Sequence, residues 1–197
     1  MPSRHHLVWF QGEFPDPRIT EWARRGWPGI VRRGSATWGK VALGITLPLA
    51  EGKCRIPFEA TAITFRPPPE LKEALAAAPV DWQPALKAIA GLFDTAGLQV
   101  RVFGSLMWQH LTGQAYLTDH SDLDLLCMPC RLDLLPLVLK TFSEAQAMAP
   151  FRVDGEIYLP DHGWAAWREL LQPNTATILC KTDYGEHLVD RSLLPLD

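Results

Sequence analysis

The chain has 197 residues, of which 47% are hydrophobic, and its formal net charge at pH 7 is −3. This length suits one large domain or two small ones with a buried core. The charge argues against a nonspecific nucleic-acid binder, and no stretch approaches the roughly 18 apolar residues of a membrane span. We therefore expect no nucleic-acid partner and no membrane association, and a soluble, cytoplasmic protein whose four cysteines stay reduced.

The beginning of the chain is rich in Gly, Trp and Arg and contains short runs with strand character. These runs cover residues 40–47, 54–58 and 61–65. Pro67-Pro68-Pro69 then excludes a helix or a central strand, so we place a domain boundary there. The sequence thus predicts a small β-rich domain over residues 1–66 and a second domain over residues 67–197.

Downstream of the boundary, two helices are predicted over residues 70–78 and 82–96. An apolar strand over residues 100–103 follows and ends at Gly104 and Ser105. Gly104 allows the backbone to approach a ligand closely, and Ser105 is a candidate cap for a helix over residues 106–112. The free amides at such a helix start favour binding of a phosphate chain.

The segment Ser121-Asp122-Leu123-Asp124-Leu125 alternates acids with leucines, which is typical of a strand with one buried face. Asp122 and Asp124 then point to the same side, with Cβ atoms about 6 to 7 Å apart. That spacing suits a hard cation, Mg²⁺ or alternatively Mn²⁺, that keeps positions for substrate phosphates. Together with the Gly-Ser turn, the pair predicts a metal-dependent phosphoryl- or nucleotidyl-transfer site. The alternative is an ordinary turn followed by an edge strand with solvated acids.

The rest of the chain predicts a helix over residues 132–148 and strands over residues 151–159, 175–181 and 186–189. The first of these strands carries Asp154 and Glu156 on one face. A third carboxylate beside Asp122 and Asp124 would orient or deprotonate an attacking hydroxyl; Asp154 is our candidate, with Glu156 as the alternative. A solvated strand face with surface ion pairs explains the pattern equally well. Lys181 is a candidate phosphate ligand, although an exposed lysine is the more common outcome.

These motifs resemble a known group of enzymes. Gly104-Ser105 followed by Ser121-Asp122-Leu123-Asp124 is similar to the signature of the DNA polymerase β-like nucleotidyltransferase superfamily. More narrowly, residues 103–113, 116–117 and 121–126 resemble the holo-acyl-carrier-protein synthases of malonate decarboxylase, also called phosphoribosyl-dephospho-CoA transferases. Upstream residues 6–9, 28–33, 44–45 and 55 resemble that family's N-terminal module. The fold implied is α+β: a polymerase β-like mixed sheet with helices, preceded by a small β-rich domain.

The resemblance also implies a reaction. The phosphoribosyl-dephospho-CoA group would pass from 2′-(5″-triphosphoribosyl)-3′-dephospho-CoA to a serine of the acyl carrier protein subunit of malonate decarboxylase, with release of pyrophosphate. Asp122 and Asp124 would bind the metal ions, and Gly104 and Ser105 would hold the departing pyrophosphate. Asp154 would activate the serine.

Other interpretations stay open. Another enzyme of the same superfamily could adenylylate a small molecule or a protein from ATP with the same motifs, and a noncatalytic binding module could keep the fold. The presence of both Asp122 and Asp124 argues against the module. Carrier proteins are typically acidic, so four arginines form a candidate docking surface, with solvated arginines as the alternative. They are Arg24, Arg25, Arg32 and Arg33.

Overall fold

The structure, a computed structural model, describes residues 2–34, 36–129 and 131–196. Its first sheet consists of β1 (Leu7–Trp9), β2 (Gly29–Val31), β3 (Val41–Thr46), β4 (Arg55–Ala60) and β5 (Thr64–Arg66). The strands lie in the order β4-β3-β2-β1-β5, and neighbouring strands are antiparallel. Three of them correspond to the predicted runs. The β-rich prediction for this part of the chain is therefore confirmed.

Helix α1 (Pro17–Arg24) also belongs to this part of the chain and was not predicted from the sequence. Asp16 caps it by accepting a hydrogen bond from the amide of Arg18, and Pro17 occupies the first helical position. With only eight residues, the helix shows a short periodic pattern, which is hard to distinguish from a loop.

The second sheet contains β6 (Val100–Val102), β7 (Leu123–Cys127), β8 (Val153–Leu159), β9 (Gly163–Ala166), β10 (Thr177–Lys181) and β11 (Glu186–Asp190). Its strands lie in sequence order. The pairing of β7 with β8 is parallel, and all other pairings in this sheet are antiparallel. This mixed sheet confirms the predicted α+β class.

Helices accompany the second sheet: α2 (Leu71–Ala74), α3 (Gln83–Thr95), α4 (Gly104–Thr112), α5 (Leu135–Met148) and α6 (Trp167–Leu170). Helix α5 makes the crossover between the parallel strands β7 and β8, as a parallel connection requires. Phe142 of α5 packs edge-on against Phe93 of α3 and stacks on Trp167, with ring centroids 5.3 and 5.4 Å apart. A Cβ at Gly155 would lie only 2.8 Å from Phe142, so a glycine in β8 lets α5 lie directly on the sheet.

The two sheets share one apolar core. Trp22 of α1 meets Trp108 of α4 edge-on at 5.6 Å, and the Tyr116 hydroxyl donates to the Thr46 carbonyl at 2.8 Å. These contacts place the N-terminal sheet beside α4. The domain boundary between residues 66 and 67 stays a prediction. Within the described residues, no helix has the length and apolar character needed to cross a membrane.

Candidate active site

The parallel pairing of β7 and β8 brings together the acids that the sequence singled out. Asp124 lies directly opposite Asp154 in the register of the two strands. The neighbouring pair, Leu123 opposite Val153, is fully buried and therefore fixes this register. Asp122 immediately precedes β7. The three carboxylates thus meet at the beginning of both strands.

Arg152 contacts two of these carboxylates. Its Nη2 lies 3.3 Å from Oδ2 of Asp154, and its Nε lies 3.8 Å from Oδ2 of Asp122. An ion pair between Arg152 and Asp154 is what the alternative interpretation, a solvated strand face with surface ion pairs, predicts. All three side chains are at least one third exposed, so these pairs add little stability. Within the described residues, no group of three or more His, Cys, Asp or Glu side chains is arranged to hold a metal ion.

Gly104 lies directly against Asp124. A Cβ at position 104 would overlap Oδ2 of Asp124 and would lie 2.7 Å from its Cγ. The backbone of Gly104 has a φ of 65°, in the left-handed region that disfavours side chains. Two independent features therefore require glycine at position 104: its left-handed backbone and the close approach of the Asp124 carboxylate to its Cα.

The environment of Asp124 disfavours its charge. Burial, together with the charges of Asp154 and Asp122, raises the pKa of Asp124 to about 7. Arg55 and Lys53, from the N-terminal part of the chain, lower the same pKa. A carboxyl group with this pKa is only partly ionised at neutral pH, and further positive charge nearby would favour its charged form.

The start of α4 differs from the prediction. The helix begins at Gly104, its N-cap residue is Phe103, and no side chain among the described residues caps it. Ser105 lies in the first turn, so the expectation that it caps this helix was wrong. The predicted helix end is confirmed, because Gly113 follows in a left-handed conformation with a φ of 69°. The roles of Gly104 and Ser105 in phosphate binding stay predictions.

A cleft of about 700 Å³ lies between the N-terminal sheet and the start of α4. Its positively charged lining consists of Arg4, Arg32, Arg33 and Arg55. Phe103, Gly104 and Trp108 also line it, so the cleft opens at the residue that touches Asp124. No local sequence pattern indicates this cleft, because it depends on how the N-terminal sheet packs beside α4.

Glu156 belongs to a buried charge cluster. It accepts hydrogen bonds from Arg4 at 2.8 and 2.9 Å and from Lys181 at 3.0 Å, and it contacts Nε2 of His5 at 2.9 Å. Burial raises the pKa of Glu156, but the hydrogen bond with His5 and the charge of Arg4 outweigh this and hold the pKa well below its usual value. The carboxylate is thus engaged in joining the start of the chain to the second sheet. Asp154 stays our candidate for the third acid, and its role stays a prediction.

Lys181 shares in that cluster through its ion pair with Glu156. Its predicted role as a phosphate ligand stays a prediction, and the structure gives its ammonium group a carboxylate partner instead.

We expect Glu156→Gln to lower the free energy of unfolding by about 3 kcal/mol at neutral pH, because Arg4 and Lys181 lose a buried counter-charge. The folded-state pKa of Glu156 lies below the ordinary value of 4.5, so this contribution is present above that pH and is lost as the pH falls. Urea unfolding at a series of pH values measures it. Glu186→Gln, which removes the exposed partner of Arg33, is the control and should cost no more than about 1 kcal/mol. Equal costs for the two variants would contradict a stabilising cluster.

The four arginines of the predicted docking surface lie in two places. Arg24 pairs with Glu13 at 2.8 Å, and Arg25 pairs with Glu21 at 2.8 Å on the surface of α1. Arg32 and Arg33 line the cleft instead. The docking hypothesis stays a prediction, and the structure places its four arginines in two separate locations.

Comparison with known proteins gives a consistent result. Residues 3–64 match the family model of the phosphoribosyl-dephospho-CoA transferase MdcG N-terminal domain, and residues 70–192 match that of the C-terminal domain. A phosphoribosyl-dephospho-CoA transferase of Xanthomonas campestris pv. campestris (strain 8004) is 34% identical over 210 residues, which cover 98% of this chain and 97% of the relative. One of Bradyrhizobium diazoefficiens is 35% identical over 183 residues, covering 89% and 79%. No solved structure matches the chain significantly. The chain therefore belongs to the phosphoribosyl-dephospho-CoA transferase family.

Proposed function

We propose that this protein transfers the phosphoribosyl-dephospho-CoA group from 2′-(5″-triphosphoribosyl)-3′-dephospho-CoA to a serine of the malonate decarboxylase acyl carrier protein, with release of pyrophosphate. The observation that carries the proposal is the pairing of Asp124 with Asp154 on parallel strands, with Gly104 against Asp124. Family membership supports the identity of the transferred group, and this geometry supports a reaction of the nucleotidyl-transfer type.

The start of α4 would bind the leaving part of the triphosphate. Because no side chain in the described part of the chain caps this helix, the amides of its first turn are available to phosphate oxygens. Gly104 has no side chain between these amides and the Asp124 carboxylate. A pyrophosphate group held here would lie beside the acids, and Ser105, in the same turn, could donate its hydroxyl to it.

The carboxylates fit a divalent cation such as Mg²⁺ or Mn²⁺. Oxygen donors are the ligands that such ions prefer, and a bound cation would offset the burial and the charges of Asp154 and Asp122 that raise the pKa of Asp124. Asp122 and Asp124 would hold the ion, which when bound neutralises charge on the triphosphate. Arg152 would then keep Asp154 as its carboxylate partner.

Asp154 is positioned to accept the proton of the attacking serine. About one third of its side chain is exposed, so a hydroxyl from another protein can reach it. Its Oδ1 accepts a hydrogen bond from the amide of Gly155 at 2.9 Å, which orients the carboxylate. The serine oxygen would form its bond to the α-phosphorus as the bond to pyrophosphate breaks, and the serine proton would pass to Asp154.

Pyrophosphate release tests the proposal. With triphosphoribosyl-dephospho-CoA, Mg²⁺ and the apo carrier protein, we expect one pyrophosphate per carrier, and none when the carrier serine is replaced by alanine. A parallel reaction with ATP is expected to release none. Release from ATP alone would replace the proposed substrate with an adenylyl donor, and no release from either compound would favour a noncatalytic binding module.

A further inference from the structure

Two arginines stand apart from the other arginines of the protein. Within residues 2–34, 36–129 and 131–196, each of the others contacts an acid, a carbonyl or amide oxygen, or an aromatic ring, and Arg32 and Arg55 have no such partner. Both are exposed, and both line the cleft beside Gly104. The other two cleft arginines are paired, Arg4 with Glu156 and Arg33 with Glu186.

The register of the N-terminal sheet places these two arginines on one face. Ile30, Gly44 and Pro57 lie opposite one another on β2, β3 and β4. Arg32 is two residues from Ile30, and Arg55 is two residues from Pro57, so strand alternation directs both side chains to that same face. The ladder continues to Arg32, whose amide donates to the carbonyl of Ala42 at 3.1 Å.

Gly44 lies between the two arginines on this face. A Cβ at position 44 would be 3.9 Å from Cδ of Arg32, so the Arg32 side chain lies across the sheet beside this glycine. The sheet face between Arg32 and Arg55 carries Ile30, Gly44 and Pro57, and all three line the cleft. An extended anion could contact both guanidinium groups at once.

The cleft is also connected to the acids. Gly104 lines the cleft and touches Asp124, and Arg55 is close enough to Asp124 to lower its pKa. A guanidinium group is a strong, bidentate donor to phosphate, and it remains charged at all relevant pH values. Unpaired arginines beside a nucleotidyl-transfer site thus match the charge of a polyphosphate.

We propose that Arg32 and Arg55 bind phosphate groups of the nucleotide substrate, so that the N-terminal sheet forms one wall of the substrate site. This inference rests on the proposed function for the identity of that substrate. Two sources supply the same chemistry within one molecule: the triphosphate, and the diphosphate of the dephospho-CoA part. Arg32 then contacts the nucleotide, so its contribution to substrate binding does not require the carrier protein.

Calorimetric titration of the full chain, without carrier protein, tests this. The probes are dephospho-CoA, ATP and inorganic tripolyphosphate, each with Mg²⁺. Arg32→Gln and Arg55→Gln are each expected to weaken binding of at least one probe by about tenfold or more, as for other hydrogen bonds to charged groups. Arg131→Gln removes an exposed arginine that pairs with Asp133 beyond the other end of β7, and it should change binding by less than about twofold.

The pattern among the probes identifies the source. If the variants lose affinity for dephospho-CoA alone, the arginines bind the diphosphate. If they lose affinity for tripolyphosphate, the arginines bind the triphosphate. Arg32→Lys and Arg55→Lys keep the charge but lose the planar fork, so we expect intermediate affinities. Unchanged affinities in both Gln variants, or no binding of any probe by the unaltered protein, would overturn the inference. Arginine-dependent binding without transfer to a carrier would contradict the proposed function and leave this inference intact.

Discussion

Replacement of Asp124 by asparagine is expected to lower the rate of transfer by about 10³-fold or more and, at the same time, to stabilise the fold. The rate falls because Asp124, which lies against Gly104 in the acid cluster, is a proposed ligand of the metal ion. Neutralisation of the triphosphate charge by such an ion contributes several kcal/mol to phosphoryl transfer. Transfer assays at saturating substrate measure the loss. Asp133→Asn, at an exposed acid that pairs with Arg131, is the control and should keep full activity.

The stabilising effect has a defined pH dependence. The pKa of Asp124 is raised from its ordinary value of 3.8 to about 7, so its ionisation opposes folding. Without divalent cations, the unaltered protein should lose stability as the pH rises from about 4 to above 7, whereas the asparagine variant should not. The variant should therefore have the higher melting temperature at about pH 8 and an equal one at about pH 4. An active variant, or one that is less stable at the higher pH, would contradict this role of Asp124.

Gly104→Ala should lower the transfer rate by about 10²-fold or more, because the new Cβ would displace the Asp124 carboxylate and small misplacements of reacting groups cost this much. It should also cost about 1 to 2 kcal/mol of stability, because alanine disfavours a left-handed backbone. Steady-state kinetics and urea unfolding measure the two effects.

Gly113→Ala separates these effects. Gly113 ends the same helix with nearly the same φ, 69° against 65°, but a Cβ there has nothing within 4 Å. Its stability cost should be about 1 to 2 kcal/mol, from the backbone alone and no larger than that of Gly104→Ala, and its activity should be retained. Equal activity losses in the two variants would show that backbone strain in α4, and not contact with Asp124, explains the loss.

The sequence was most informative where a short pattern has one physical interpretation. Alternation of acids with leucines predicted the strand β7, and the helix predicted over residues 106–112 ends where predicted, at Thr112. The class of fold and the family also followed from the sequence and are confirmed.

The remaining features depend on long-range packing. Asp154 became a neighbour of Asp124 only through the parallel pairing of β7 and β8, which α5 permits but no local pattern specifies. The burial of Glu156 depends on the start of the chain, since Arg4 and His5 lie more than 150 residues away in sequence. The cleft requires the N-terminal sheet to pack beside α4. Ser105 was wrongly predicted as a cap because the helix begins at Gly104, two residues before the predicted start at residue 106.

The central claim is that the acids of β7 and β8 transfer phosphoribosyl-dephospho-CoA to a carrier protein. Intact-mass spectrometry of an apo acyl carrier subunit tests it most directly, after incubation with this protein, Mg²⁺ and triphosphoribosyl-dephospho-CoA. We predict that the carrier gains the mass of one phosphoribosyl-dephospho-CoA group, and that the Asp122→Ala/Asp124→Ala variant adds none. An unmodified carrier, or equal modification by the unaltered protein and the double variant, would contradict the account.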